Sequence, residues 1–431
     1  MNQSPAWTFL KTTPVLVPGV LALCGCLLTQ PRSCAATFGE DVAFLKQHSD
    51  VIVLRDARSD AKVAVVPSMQ GRVMTSTAQG DQGDSFGWMN NDLIAKNERQ
   101  DHINVFGGED RFWMGPEGGQ FSIFFKKGDP FDLPHWQTPE PIDWGGWEVV
   151  KQGTSSAHFR KRFPFTNYSG TRFDVTVDRV VSVYSRTAIQ RTLGVKLGYS
   201  RTAIQRTLGV KLGSNVKAVG YESDNRVTNS GANAWRKSTG LLSVWILGMF
   251  KHSPATTIVV PFKTGPESKL GPVVNDAYFG KVPADRLKID AKKGVVYFKG
   301  DGQYRSKIGV PPGRAKDLLG SYSADNHCLT LVKFTLPKGA KDYVNSMWEI
   351  QKNPFAGDVA NSYNDGPPAP GAKPLGPFYE LESSSPAAAL APGKSLTHVH
   401  RTIHVQGPTA ELDRIAKATL GVGLAEIEAA F

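Results

Sequence analysis

Two glutamates one residue apart, Glu380 and Glu382, stand in the run Phe378-Tyr379-Glu380-Leu381-Glu382-Ser383. Alternate side chains of a strand share a face, so both carboxylates point one way and Tyr379 and Leu381 the other. Like charges roughly 7 Å apart on one face repel unless they are solvated or given work. Two readings follow: a solvated sheet face, or a general base with a hydroxyl-binding partner.

A second concentration of chemistry lies between Gly107 and Trp147. Three glycine pairs, Gly107-Gly108, Gly118-Gly119 and Gly145-Gly146, alternate there with Arg111, Trp113, Glu117, His135, Trp136 and Trp144. Glycine lets a chain turn sharply and lets another group approach it closely. Flat rings beside Arg, Glu and Asp suit a polar ligand with apolar faces, which describes a sugar. The same rings also suit a sandwich core closed by β-turns.

Other candidates are weaker. Thr397 to His404 sets His398, His400 and His404 on one strand face, and a His-x-His pair can bind metal. Spacing offers no third ligand, so a polar sheet face is the better reading, and no metal site or cofactor is assigned. Asp358 to Gly366 offers loop oxygens without the calcium-loop spacing; Asx-turns explain them most simply, and a sugar-contacting or calcium loop is the alternative. The chain has no P-loop, no G-x-S-x-G elbow and no H-E-x-x-H.

Charge excludes one class. The net charge is +11, but Lys11, Arg32 and one set of Arg201, Arg206 and Lys211 carry five of those charges. The first two lie in an export-like region and the other three in a repeated segment. The rest are scattered, so no nucleic-acid footprint is visible.

The apolar run Val15 to Leu28, after Lys11 and before Pro31, reads as an export signal too short for a membrane span. Ser33-Cys34-Ala35 offers a cleavage site with a mature start at Ala36. Leu23-Cys24-Gly25-Cys26 offers a lipobox with Cys26 lipidated. The expectation is a periplasmic or envelope-anchored protein, with the membrane touched only through Cys26. Cys328 is expected alone and buried.

Tyr184 to Gly198 is repeated without change as Tyr199 to Gly213. Two perfect copies do not make a stacking array. Each predicts a short helix, capped by Ser185 or Ser200 and ended by Gly194 or Gly209. One copy is expected in the packed place, with the other looped outward.

Most of the remaining chain reads as strands between turns, rich in β-branched and aromatic residues. The expected set includes Gln120 to Phe125, Phe173 to Val183, Val216 to Glu222, Leu241 to Met249, Thr256 to Pro261, Phe378 to Ser384 and Thr397 to Val405. Helices are expected at Thr409 to Leu420 and Lys341 to Glu349, and a long surface loop at Asn353 to Pro377. The fold class is mainly β: a large antiparallel β-sandwich with few short helices. Residues 1–35 form the signal and 36–431 a single domain.

The order of short motifs resembles the galactose-mutarotase-like (aldose 1-epimerase) superfamily, and within it a group of exported bacterial proteins. The motifs are Gly71-Arg72-Val73, Asn104-Val105-Phe106-Gly107-Gly108, Trp113, Val227-Thr228-Asn229-Ser230, Glu380-Leu381-Glu382 and the turn Pro392-Gly393. The resemblance implies that these segments surround a sugar and that Glu380 or Glu382 acts as the base. Mutarotases carry a His before the paired glycines and another after the middle Thr-Asn; here Phe106 and Ser230 stand there. His102 or His135 would have to supply the acid. The expected ligand is a sugar or glycan. Arg72, Asn104, Arg111, Trp113, Glu117, His135, Trp136 and Trp144 would bind it, and Glu380, Glu382 and His102 would do any chemistry. Three functions remain open: carbohydrate binding or processing, epimerisation with a rearranged acid, and a non-catalytic envelope role.

Overall fold

The computed structural model describes residues 36–184, 200–369 and 371–431. The expected signal, the Cys26 anchor and the Ser185 cap lie outside them. The described chain opens with the helix Phe38–His48, started by a capping box in which Thr37 and Glu40 satisfy each other's backbone. Its Phe38, Val42 and Leu45 pack on Ala64, Val66, Met74 and Phe106.

Three sheets follow among the described residues, and every strand pair in them is antiparallel. A three-stranded sheet joins Ile52–Arg55, Lys62–Val66 and Arg72–Thr77. A ten-stranded sheet runs, edge to edge, through Leu287–Asp290, Val295–Lys299, Thr256–Pro261, Leu318–Ser323 and Cys328–Phe334. It continues through Ser395–Gln406, Lys217–Asn229, Arg172–Val183, Ser156–Thr166 and Glu148–Gln152. A five-stranded sheet orders Ser306–Val310, Ala360–Asn364, Phe378–Ser384, Ser243–Lys251 and Arg111–Gly115. The mainly β class expected from the pattern is the observed one.

The period of two decides how the layers meet. Tyr379 and Leu381 face the ten-stranded sheet and join Ile258, Phe298, Val332 and Phe334 in one core. Ser383 shares that face; its hydroxyl lies 2.8 Å from His398 Nε2 and 2.8 Å from His400 Nδ1. The histidines therefore form a buried polar layer between sheets, and no metal-holding cluster occurs among the described residues. On its other face, Ile403, Val405, Leu329 and Leu331 are covered by the helices Ser200–Leu208, Thr409–Leu420 and Leu424–Glu428.

The packed unit is a composite of the two repeat copies. Tyr184 comes from the first, and Ala203, Ile204, Leu208, Val210 and Leu212 come from the second; all are buried in one cluster. Thr207 Oγ1 donates to Tyr184 Oη at 3.4 Å. Gly209, at φ +71°, ends the helix as its sequence predicts.

Three expectations are corrected. The segment read as a loop from Asn353 to Pro377 contains the buried strand Ala360–Asn364. Its turn-type residues are satisfied from outside: Asn361 Nδ2 donates to Ile308 O and Asn364 Nδ2 to Tyr304 O. Lys341 to Glu349 forms no helix; Tyr343 bridges Ala356 instead. Gln120 to Phe125 is a chain of turns, with Ser122 donating back to Glu117 O.

Candidate functional site

The five-stranded sheet assembles the polar groups because its register stacks them. Lys307, Tyr363, Glu380 and Met249 lie side by side across four strands. The next row on the same face is Gly309, Asn361, Glu382, Leu247 and Arg111, and Trp245 pairs with Trp113 beyond it. Arg111, Trp113, Glu380 and Glu382, distant in sequence, thus share one face.

The two carboxylates are not solvated. Glu380 is 5 % exposed and Glu382 is fully covered. Arg111 Nη2 donates to Glu380 Oε1 at 3.1 Å, and the guanidinium stacks 4.2 Å from the Trp113 ring. Trp245 Nε1 and Lys307 Nζ donate to Glu382 Oε2 at 2.8 and 3.1 Å. The Lys307 ammonium also lies 4.5 Å from the Trp245 ring. Burial pushes Glu380 up to about 8; Arg111 opposes the rise, and Glu382 adds to it by its charge. Arg111 Nε and Nη1 have no hydrogen-bond partner among the described residues.

A cleft of about 820 Å³ opens nearby. Trp136, Trp348 and Glu117 line it, with His102 and the neighbouring 100–105 chain, and Phe279, Arg305 and Asp365 are also on its wall. The rings of Phe124, Trp136 and Trp348 stack in series at 5.9 and 6.0 Å. Glu117 stands beside them because of the glycines that follow it. A Cβ on Gly118 would meet Met347 O at 2.3 Å, and one on Gly119 would meet the Gln351 amide at 2.5 Å. Only bare backbone lets this loop lie against the chain that carries Trp348. Burial raises the Glu117 carboxyl, Lys307 pulls it back, and the indoles of Trp348 and Trp136 favour its charged form.

Asn104 turns away from the cleft and fixes the 100–105 chain. Its backbone and side-chain N–H groups donate to Asp143 at 2.9 and 2.6 Å, and its Oδ1 accepts from Gln100 N. His102 does line the cleft, with Nδ1 2.7 Å from Trp136 O.

Three expected ligand residues lie elsewhere. Arg72 belongs to the three-stranded sheet and is spent on Gly107 O and Gln70 Oε1. Burial beside Arg111 and Arg179 lowers it to about 9. His135 is exposed and pairs with Asp132 at 2.5 Å. Trp144 stacks on Phe106 in the cluster beneath the first helix. The Gly107-Gly108 pair likewise admits protein: Cβ atoms there would meet Trp88 O at 2.2 Å and Arg72 Cδ at 2.8 Å.

A family model described as a family of unknown function (DUF6786) matches residues 36–205 and 199–431. The chain belongs to that family. The two DUF6786 matches overlap at residues 199–205, inside the duplicated segment. No curated protein matches the sequence.

Several solved structures are similar to this DUF6786 chain. The Slr1438 protein of Synechocystis sp. PCC 6803 is 14% identical with a TM-score of 0.46, covering 84% of this chain and 96% of its own. A galactose mutarotase-like protein of Lactobacillus casei is 10% identical, TM-score 0.43, covering 83% and 100%. A galactose mutarotase related enzyme of Lactobacillus acidophilus is 9% identical, TM-score 0.43, covering 82% and 97%.

Sequence reasoning missed Trp348, Lys307, Trp245, Phe279 and Arg305, and raised Asp365 only within a loop of oxygen ligands. Trp348 sat in a segment read as helix and Asp365 in one read as loop. Lys307 sits in Ser-Lys-Ile-Gly-Val, whose alternation marks a strand but no partner. The alternation of Asn361 and Tyr363 with Asp365 was the signal available.

Proposed function

We propose that this protein binds a carbohydrate in the cleft lined by Trp136, Trp348 and Glu117. The observation that carries the reading is the indole pair beside a carboxylate. An aromatic face takes the C–H face of a sugar, while a carboxylate accepts its hydroxyls. Arg305 adds a donor on the same cleft.

Binding is favoured over epimerisation. Glu380 and Glu382, the bases the motif resemblance implies, are almost wholly covered. A base must come within hydrogen-bond reach of the proton that it takes. Their support goes instead to the face behind the cleft.

The test is calorimetric titration guided by a glycan array. Trp348→Ala and Glu117→Gln, each first shown to be folded, should weaken binding of a captured glycan by about tenfold or more. Failure of the folded wild-type protein to bind any arrayed glycan overturns the reading.

We further propose export, on the apolar run Val15 to Leu28. Mass spectrometry of the mature N-terminus separates a diacylglyceryl Cys26 from a start at Ala36. An intact Met1 in native cells sinks both.

A further inference from the structure

We infer that the cleft takes an oligosaccharide, with one sugar against the Trp136–Trp348 wall and another over Phe279. This rests on the carbohydrate-binding reading and names its ligand class.

Size is the first ground. The cleft measures about 820 Å³. That is near the upper end of the roughly 300–1,000 Å³ typical of pockets that enclose drug-sized molecules, and well beyond one pyranose ring.

Surface chemistry is the second. Eight large hydrophobic side chains are exposed among the described residues, and three of them line this one cleft. They are Leu133 at 53 %, Phe279 at 42 % and Leu375 at 46 %. Isolated exposed apolar residues need no explanation, whereas a group around a concavity marks a binding surface. The occupant must extend to this rim.

The third ground is that the two aromatic platforms are built independently. Trp348 belongs to the ring stack with Trp136 and Phe124. Phe279 comes from the chain between Leu270 and Leu287, packs edge-on to Tyr363, and is held by the Arg305 guanidinium 4.1 Å from its ring centre. Arg305 Nε has no hydrogen-bond partner among the described residues. Arg305 also draws on Asp365, whose carboxylate accepts from Tyr363 Oη at 2.6 Å and Gly376 N at 2.7 Å. Asp365 is itself fully buried and serves to fix this corner, so the fixed Phe279 ring and the Arg305 donor make the subsite for one sugar. A second, with its own carboxylate Glu117, is the indole wall.

The experiment is titration of the full mature chain with glucose, xylose and galactose and with maltotriose, cellotriose, xylotriose and galactotriose. In the series that binds, the trisaccharide should exceed its monosaccharide by about tenfold or more in affinity. Phe279→Ala, at an exposed site, should abolish that length gain while its thermal unfolding stays at the wild-type temperature. A sugar bound with affinity independent of length overturns this inference and leaves the carbohydrate reading standing. A Phe279→Ala protein that keeps the full length gain also overturns it. Binding of no sugar in any series overturns this inference, and failure on the glycan array as well overturns both.

Discussion

Arg111 Nη2 donates to Glu380 Oε1 at 3.1 Å between residues 269 positions apart in the chain. The pair spans three strands of the five-stranded sheet, across the intervening Ser243–Lys251. Both side chains are buried. Burial nonetheless outweighs the guanidinium, and the Glu380 carboxyl rises to about 8.

That rise has a pH signature. With its folded pKa above the ordinary carboxylate value, Glu380 lets the native state hold a proton that the unfolded chain has released. Its contribution is present at acid pH and is lost as pH rises toward 8. Wild type should therefore lose up to about 1.4 kcal/mol per pH unit relative to Glu380→Gln over this window. Paired urea titrations from pH 5 to 8 check it, and parallel curves refute it.

Lys307 and Glu382 form a second buried pair at 3.1 Å. Removing one partner leaves the other charge buried and uncompensated, so Lys307→Met or Glu382→Leu alone should cost about 3–5 kcal/mol. The double variant removes both charges and should recover most of that loss. A double-mutant cycle measures the coupling; simple additivity of the two losses contradicts the pairing.

The buried histidines give the opposite slope. His398 is lowered to about 3 and His400 to about 4, both chiefly by burial; Asp110 opposes the shift at His400, while Arg179 and Arg401 add to it. A depressed folded pKa leaves fewer protons on the native state. Stability is therefore full at neutral pH and lost as pH falls from about 6.5 toward 4. His400→Gln should flatten this acid loss by up to about 1.4 kcal/mol per pH unit. Chemical denaturation between pH 4 and 7 reads the slope; an unchanged slope rejects the assignment.

Deleting fifteen residues from the duplication gives one chain, whichever copy is removed, because the copies are identical. The composite of Tyr184 with Ile204, Leu208 and Leu212 would keep its packing. The shorter protein should melt within about 2 °C of the longer one, or above it, since loop closure depends only weakly on length. Calorimetry decides; a large drop would show that both copies are packed.

Local pattern alone determined much here. The period of two placed Glu380 and Glu382 on one face and set strands at Thr256–Pro261 and Phe378–Ser384 with the observed bounds. Periodic apolar residues gave the helix Thr409–Leu420, and charge and composition marked the export-like segment and the duplication. These are properties of neighbouring residues, so sequence carries them. Burial is not such a property. Only the layering of strands from four distant segments covered the glutamates and raised Glu380, turning a solvated face into a buried, hydrogen-bonded one. Only long-range register brought Lys307 to Glu382 and set Trp348 beside Glu117, while sending Arg72, His135 and Trp144 elsewhere. A side chain's face follows from its own strand; what it meets there follows from where every other strand has gone.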